Sequence, residues 1–122
     1  MDTRYSIILQ PMTRAEVLRY WLVNNNFLIE EEQLVEDAGL IYPILCARFG
    51  SSQHLTDAEL YTGAWEQIRD LPLTPAYLQK QISRFEARLS GVRHSERDRS
   101  RLPILEQILF QLKEMAERAD RA

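Results

Sequence analysis

A regular series of basic side chains is the feature of this sequence with the clearest chemical use. Lys80, Arg84 and Arg88 recur every fourth residue, so on a helix they lie along one side. Guanidinium groups bind phosphates through paired hydrogen bonds, and a row of them can follow a nucleic-acid backbone. The pattern predicts a phosphate-binding surface, here named the basic ridge. Its seven members are Lys80, Arg84, Arg88, Arg93, Arg97, Arg99 and Arg101.

An ordinary solvated helix face explains the same spacing, and on spacing alone it is the more common case. In that interpretation Arg88 pairs with a glutamate such as Glu106 or Glu114. Three aromatic residues are open to the same two interpretations, as platforms for bases or as core residues, and their register with neighbouring apolar residues favours packing. They are Tyr61, Trp65 and Tyr77.

No catalytic or metal-binding set is apparent elsewhere. His54 and His94 stand beside serine and turn residues and complete no motif, so we expect solvated loop histidines. Cys46 lies in an apolar stretch and predicts a buried, inert thiol. The run Glu30-Glu31-Glu32 predicts a solvent-facing strand end, because successive strand side chains point to opposite faces. The four glycines are isolated, so no phosphate-binding loop is expected.

Composition limits the kind of molecule that positions these residues. The 122 residues make about one small domain, 45% are apolar and the net charge is −3. A single cysteine excludes an internal disulfide framework. The sequence has neither an apolar run of membrane-spanning length nor a signal-peptide pattern at its start. These features predict a soluble, cytoplasmic protein. The acidic balance disfavours nonspecific nucleic-acid binding, but the excess of four basic residues between Lys80 and Arg101 leaves a local contact open.

The first half of the chain predicts strands around one helix. Residues 5–9 form an apolar run typical of a strand covered on both faces. Thr13 and Glu16 have capping-box spacing and predict the start of a helix. A second strand begins at Phe27, and residues 37–39 supply a turn into a third strand over residues 40–47. Pro43 favours a sheet edge or a bulge. Such a thin sheet predicts part of a larger one, with an unpaired edge.

The second half predicts helices. Thr56 and Glu59 form a second capping-box pattern for a helix that continues through Ile68, and Thr74-Pro75 is a further helix start. Two heptad seams then predict an antiparallel coiled-coil hairpin. The first seam consists of Leu78, Ile82, Phe85, Leu89 and Val92. The second consists of Leu102, Leu105, Leu109, Leu112, Ala116 and Ala119, widened by Ile108 and Met115. We therefore expect one domain over residues 1–50 and a helical domain over residues 51–122.

The order of several short motifs resembles the bacterial tRNA (adenine-22)-N1 methyltransferases, which use S-adenosylmethionine. These motifs are Ile8-Leu9-Gln10-Pro11, Leu18 with Trp21-Leu22, Glu36-Asp37, Gly39, Ile41-Tyr42, Leu55-Thr56, Glu59-Leu60 and Gly63. The resemblance covers almost the whole chain but only the C-terminal half of that family. This sequence departs from the family pattern at Ala38, Pro43 and Ala64.

The resemblance implies a fold and a function. Residues 1–50 would be the last strands of a Rossmann-like methyltransferase sheet, and residues 51–122 a coiled-coil domain whose basic ridge contacts tRNA. Gln10 and Met12 would lie at the active-site rim, because ligands bind beyond the carboxyl ends of such strands. The chain would be a fragment that lacks the cofactor half, binds no S-adenosylmethionine by itself and is inactive alone. The alternative is a helical protein-interaction or dimerisation module that associates through its seams or its sheet edge.

Overall fold

A computed structural model describes residues 6–94 and 96–121, with residues 96–98 described in their backbone only. The chain forms two compact units, Met1–Thr74 and Pro75–Ala122. The expectation of one domain over residues 1–50 and a helical domain over residues 51–122 remains a prediction. The first unit contains β1 (Ser6–Leu9), α1 (Ala15–Asn24), β2 (Phe27–Asp37), β3 (Leu40–Phe49), α2 (Asp57–Thr62) and α3 (Trp65–Ile68). The remaining elements are α4 (Thr74–Arg93), a 3-10 helix (Glu96–Arg101) and α5 (Leu102–Arg121).

The three strands form one sheet in the order β1-β3-β2, in which β3 runs antiparallel to both neighbours. The predicted hairpin between β2 and β3 is confirmed. Its two turn residues, Ala38 and Gly39, have φ angles of 52° and 79°, as the tight turns that join twisted strands require. β1 and β2 are therefore parallel to each other, and α1 connects them.

The hairpin is longer than β1. The last pair of β1 joins Leu9 to Leu45, which on its other side pairs with Glu32. Five further β2–β3 pairs follow, ending at Asp37 and Leu40, and these extend the hairpin about 17 Å past β1 at 3.4 Å per residue. Pro43 lies in this extension, where β3 has only one partner strand and a residue without an N–H group is tolerated.

The core of the first unit lies between α1 and one face of the sheet. Leu22 packs there with Ile29 from β2 and Leu45 from β3. On α1, Leu22 is buried in this core, whereas its neighbour Trp21 is 53% exposed. The buried core residues of this unit are Leu22, Phe27, Ile29, Leu45, Ala47 and Leu55.

Two expectations for the start of the chain are wrong. Thr13 does not cap α1, because the helix begins one residue later, after Arg14, which adopts left-handed backbone angles and makes no side-chain cap. The Thr13 hydroxyl therefore lies outside the position from which a side chain reaches the first helical amides. The strand β1 is not covered on both faces either, since Ile7 is 38% and Ile8 75% exposed.

The capping box of Thr56 and Glu59 is confirmed by reciprocal hydrogen bonds of 3.2 and 3.0 Å between each side chain and the other residue's amide. The helix that it starts is shorter than expected, because Gly63 has a φ angle of 94° and ends it. A separate short helix, α3, follows. The second carboxylate oxygen of Glu59 accepts the amide of Trp65 at 2.9 Å, so one side chain caps both helices.

The second unit contains two 20-residue helices that run antiparallel. Arg93 pairs with Glu106 at 3.6 Å, and Glu86 pairs with Lys113 at 3.9 Å. From the first pair to the second, the α4 residue number falls by seven while the α5 residue number rises by seven, as it does between antiparallel helices. The predicted α4 seam is buried from Leu78 to Leu89, while Val92 is half-buried. A coiled coil in the strict sense remains a prediction. The buried residues of α5 are Leu105, Ile108, Leu112, Met115 and Ala116.

A buried ion pair joins the elements of the first unit. Arg19 and Glu32 have fully buried side chains, and the Arg19 Nη2 and Nε atoms donate to the two carboxylate oxygens at 2.7 and 3.2 Å. The Arg19 Nη1 atom donates to the backbone carbonyl of Leu60 at 2.8 Å. Burial raises the pKa of Glu32, and the Arg19 guanidinium opposes that rise by stabilising the ionised form. The pair thus connects α1, β2 and α2.

The expectation that the glutamate run is a solvent-facing strand end is wrong for Glu32, and a β-bulge explains why. Between Ile29 and Glu31 the register shifts by one residue. Alternation would place Glu31 on the buried face with Ile29, but the extra residue transfers that position to Glu32. Gly63 lies against the same carboxylate, where an added Cβ would stand 2.6 Å from its Oε2 atom.

The substitution Glu32→Gln is predicted to lower the free energy of unfolding by about 3–5 kcal/mol, because it leaves the buried Arg19 charge without its counterion. The double substitution Arg19→Met with Glu32→Leu should recover most of that loss, since it removes both charges. Urea unfolding followed by circular dichroism measures each variant. The control is Glu114→Gln, which breaks a largely exposed pair with Arg118 and should cost under about 1 kcal/mol. Equal losses for Glu32→Gln and the control would contradict the assignment.

Candidate functional site

Three members of the basic ridge lie exposed on one side of α4, as predicted. They are Lys80, Arg84 and Arg88, spaced by four residues. Arg84 makes no ion pair with any residue in the described ranges. The Arg88 guanidinium carbon stands 5.1 Å from the centroid of the Phe85 ring, a cation–π contact that orients the guanidinium while leaving its N–H groups open to a ligand.

The remaining members of the ridge lie at the end of α4 and in the 3-10 helix. Arg93 is exposed and pairs with Glu106. Arg99 and Arg101 are exposed and have no ion-pair partner within the part of the chain that the structure describes. The side chain of Arg97 lies outside the described residues. The 3-10 helix therefore presents at least two exposed guanidinium groups close in sequence to those of α4.

The ion pairs of the helical unit do not include the pair with Glu106 or Glu114 that the solvated-face interpretation predicts for Arg88. Glu106 pairs with Arg93, and Glu114 pairs with Arg118, so neither glutamate neutralises Arg88. The pairs between side chains of α4 and α5 span 3.6–3.9 Å with both partners about half exposed. Exposed pairs of this kind are weak and are screened by salt. Much of the positive charge of the helices thus remains accessible to an anion.

Charge is divided unequally between the two units. From Pro75 to Ala122 the sequence has ten Lys and Arg against seven Asp and Glu, whereas Met1 to Thr74 has five against eleven. A polyanion is attracted to the first of these surfaces and repelled by the second. The helical unit is therefore the one suited to contact phosphates.

The aromatic residues considered as base platforms belong to the packed structure. Tyr77 is 4% exposed, and Tyr61 and Trp65 are half-buried, which supports the packing interpretation. Exposed aromatic residues lie instead on α1, where Tyr20 and Trp21 are 60% and 53% exposed, and on α5, where Phe110 is 63% exposed.

The two rim residues implied by the resemblance, Gln10 and Met12, are exposed and follow directly after β1. Their place at an active-site rim remains a prediction. The space that a side chain at Gly63 would need is filled by Glu32, whereas the surroundings of Gly39 and Gly91 are open. The described residues also contain no group of three metal-binding side chains.

A polar cluster that sequence reasoning missed links all three strands through Glu30. The Ser6 hydroxyl donates to Glu30 at 2.7 Å, the Cys46 thiol donates at 3.6 Å, and the Arg48 Nε atom lies 3.6 Å away. The Ser6 hydrogen bond, helped by the Arg48 charge, holds the pKa of Glu30 below its ordinary value. Burial raises the pKa of Cys46, in keeping with an inert thiol. His54 and His94 are exposed, as expected.

Comparison with known proteins agrees with the strands and helices described above. A protein of the NADB-Rossmann superfamily from Streptococcus agalactiae has a TM-score of 0.71 and 24% identity, covering 91% of this chain and 47% of its own. The Bacillus subtilis M1A22 tRNA methyltransferase TrmK has a TM-score of 0.75 and 19% identity, covering 93% and 52%. Streptococcus pneumoniae Sp1610, described as a candidate tRNA (m1A22) methyltransferase and solved with S-adenosyl-L-methionine, has a TM-score of 0.68 and 25% identity, covering 91% and 47%.

These likenesses show that the small sheet and its helices share the fold of the matched parts of these proteins, one of which belongs to the NADB-Rossmann superfamily. The chain spans about half the length of the solved proteins that it matches. No curated protein sequence matches it. Within the described ranges no helix is long and apolar enough to cross a bilayer.

The family called TrmK, tRNA (adenine(22)-N(1))-methyltransferase, matches residues 1–114. Complexes of its relatives with S-adenosyl-L-methionine and S-adenosyl-homocysteine show that the family binds this cofactor. Since the match extends over nearly all of the sequence, and its solved relatives share the arrangement of sheet and helices, this chain belongs to the tRNA (adenine(22)-N(1))-methyltransferase family.

Proposed function

We propose that this chain is the C-terminal half of an S-adenosylmethionine-dependent tRNA adenine-N1 methyltransferase and that its helical unit contacts tRNA. Membership of the family supports the reaction and the substrate class. The half-length coverage of the solved relatives supports its status as a part of that fold. In this proposal the protein acts in the cytoplasm, and the chain does not methylate tRNA by itself, because its resemblance covers only the C-terminal half of the family.

The observation that carries the tRNA contact is the exposure of the basic ridge. Arg84, Arg88, Arg99 and Arg101 are all exposed and make no ion pair with a described residue. Along the 20 residues of α4, which extend about 30 Å at 1.5 Å per residue, guanidinium groups on one side can reach successive phosphates of a folded RNA. Arginine suits this task, since its planar fork binds phosphate through two donors at once.

The acidic first unit restricts where RNA is accommodated. Its excess of carboxylates repels a polyanion, so RNA bound to this chain is held mainly by the helices. At physiological salt the Debye length is about 8 Å, so the long-range repulsion of RNA by the first unit and its attraction to the helices are screened. The close Arg–phosphate contacts persist longer, and binding is therefore expected to be weak and dependent on salt.

Replacing Arg84 and Arg88 by Glu is predicted to weaken tRNA binding by roughly tenfold or more, because two phosphate contacts are lost and two repulsions appear. A gel-shift titration at several salt concentrations measures this. The slope of log affinity against log salt should fall by about one for each lost contact.

The control for this experiment is the charge-matched pair Arg118→Glu with Arg121→Glu. Both residues are exposed near the end of α5 and lie outside the ridge. This variant changes the net charge by the same amount, so a general electrostatic effect would weaken both variants equally. That outcome, or unchanged binding after substitution of the ridge, would contradict the proposed tRNA contact.

Isothermal titration of the 122-residue chain with S-adenosylmethionine is predicted to show no saturable binding. The reason is that the resemblance supplies only two positions at the rim of a cofactor site, Gln10 and Met12. Both are exposed to solvent just after the end of β1. The S. pneumoniae relative, solved with the cofactor, serves as the positive control. Tight binding by this chain alone would contradict its assignment as the half without the cofactor site.

A protein-interaction or self-association module remains the second function, and two exposed apolar side chains on α5 favour it. Ile104 is 59% and Phe110 63% exposed, whereas Leu89 in the seam is 2% exposed and is already occupied within the chain. Substitution of Leu89 would therefore disturb folding before it tested association.

Sedimentation velocity separates the two functions without disturbing the seam. If the helices serve self-association, the Phe110→Glu variant should sediment as a 14.3 kDa monomer while the native chain sediments as a larger species. If they serve tRNA contact, Phe110→Glu should leave both the sedimentation coefficient and the tRNA affinity unchanged. A native dimer that is lost in this variant would favour the second function.

A further inference from the structure

The side-chain oxygen of Gln111, on α5, is buried and has no hydrogen-bond partner among the described residues. In the part of the chain that the structure describes, no other buried side-chain nitrogen or oxygen atom is left in this state. A buried acceptor without a donor is unfavourable, because it has lost its hydrogen bonds to water and gained none in return. Native proteins keep few such groups, and each one calls for an explanation. Gln111 therefore marks a place where a donor is expected.

The ion pairs between the two long helices show that Gln111 stands level with Arg88. Arg93 pairs with Glu106 at 3.6 Å. Because the helices run antiparallel, residues equally far from this pair in opposite sequence directions lie at the same height. Arg88 comes five residues before Arg93, and Gln111 comes five residues after Glu106. The two side chains are therefore on opposite helices at one level of the second unit.

Arg88 and Gln111 also lie on the same flank of the helix pair. The opposite flank carries the ion pair between Glu86 and Lys113. At about 3.6 residues per turn, Arg88 and Gln111 each stand about 90° from the buried stripe of their own helix, on the side away from Glu86 and Lys113. Since Glu86 and Lys113 meet on one flank, Arg88 and Gln111 face each other on the other.

The Arg88 guanidinium is held at the junction between the helices. Its carbon atom stands 5.1 Å from the centroid of the Phe85 ring, and Phe85 is a seam residue that is only 1% exposed. A guanidinium that lies against a buried seam ring is at the edge of the seam and does not extend straight into solvent. Because Gln111 faces this edge from α5, Arg88 is the side chain placed to supply the missing donor.

We infer that Gln111 is a positioning residue for Arg88, and that its Oε1 atom accepts an Arg88 N–H when the guanidinium binds an RNA phosphate. This inference rests on the proposed function. A guanidinium has five N–H donors, so one edge can bond to Gln111 while another forms the paired contact with a phosphate. The phosphate neutralises the guanidinium charge, which lowers the cost of withdrawing that edge from water. Phosphate binding and the Gln111 hydrogen bond therefore reinforce each other.

The test replaces Gln111 by Met, which has nearly the same length but no amide oxygen. tRNA binding, measured by gel-shift titration, should weaken by about threefold to tenfold, since one hydrogen bond to a charged group is lost. The urea midpoint should stay the same or rise, because a buried acceptor without a partner has been removed. Gln107→Met is the matched control. Gln107 is exposed one turn earlier on α5, and its substitution should leave the affinity unchanged.

A double-substitution cycle shows whether Gln111 acts through Arg88. In an Arg88→Gln background, Gln111→Met should cause no further loss of tRNA affinity, because the two residues belong to one interaction. NMR of the arginine side chains provides an independent signature. Exchange of the Arg88 guanidinium protons with water should slow when tRNA binds the native chain, and the Gln111→Met chain should not show this slowing.

Two results overturn the inference. One is native-like tRNA affinity for Gln111→Met, as expected if Oε1 serves only as an acceptor for water. The other is an equal loss of affinity with and without Arg88, which would make Gln111 independent of the guanidinium. The proposed function fails by a different result, unchanged binding after Arg84→Glu with Arg88→Glu. If that variant binds tRNA weakly while Gln111→Met binds like the native chain, only the role of Gln111 is rejected.

Discussion

The first unit depends on one buried ion pair. Arg19 and Glu32 are withdrawn from water and satisfy each other through two hydrogen bonds, while the third donor of Arg19 binds the Leu60 carbonyl. A pair of this kind adds little net stability compared with apolar residues, but it tolerates only one arrangement of its partners. It therefore fixes how α1, the long hairpin and α2 meet.

The same pair gives a physical meaning to part of the family resemblance. Leu60 contributes its carbonyl to Arg19, and Gly63 leaves the space that the Glu32 carboxylate fills. Thr56 and Glu59 begin the short helix that presents both residues, and Glu59 also caps the helix after it. Motifs that are weak as separate short patterns are thus parts of one polar network built around a buried charge.

Local rules explain which features could be predicted from the sequence. The Ala38-Gly39 turn, the Thr56 capping box and the seam residues from Leu78 to Leu89 each follow from a few neighbouring residues, and all three are found. The buried position of Glu32 could not be predicted in this way. It depends on a bulge near Glu30 that reverses the alternation of β2, and on an arginine 13 residues earlier. The same limit applies to the candidate site. The four-residue spacing of basic residues predicted the exposed side of α4, but it could not predict the contacts between strands around Glu30.

The exposed apolar residues of β1 and the exposed arginines of α4 are two separate surfaces of this chain. A sheet whose edge strand is apolar but uncovered lacks the surface that would bury it, and burial of such side chains is the main source of free energy for joining two parts of a fold. The helices have no such deficit, because their seam is buried within the chain. Their exposed side chains include the arginines of α4 and of the 3-10 helix, together with the apolar Ile104 and Phe110 on α5. If RNA binds through α4, as proposed, substitutions in β1 should leave that binding unchanged, because the two surfaces belong to different compact units.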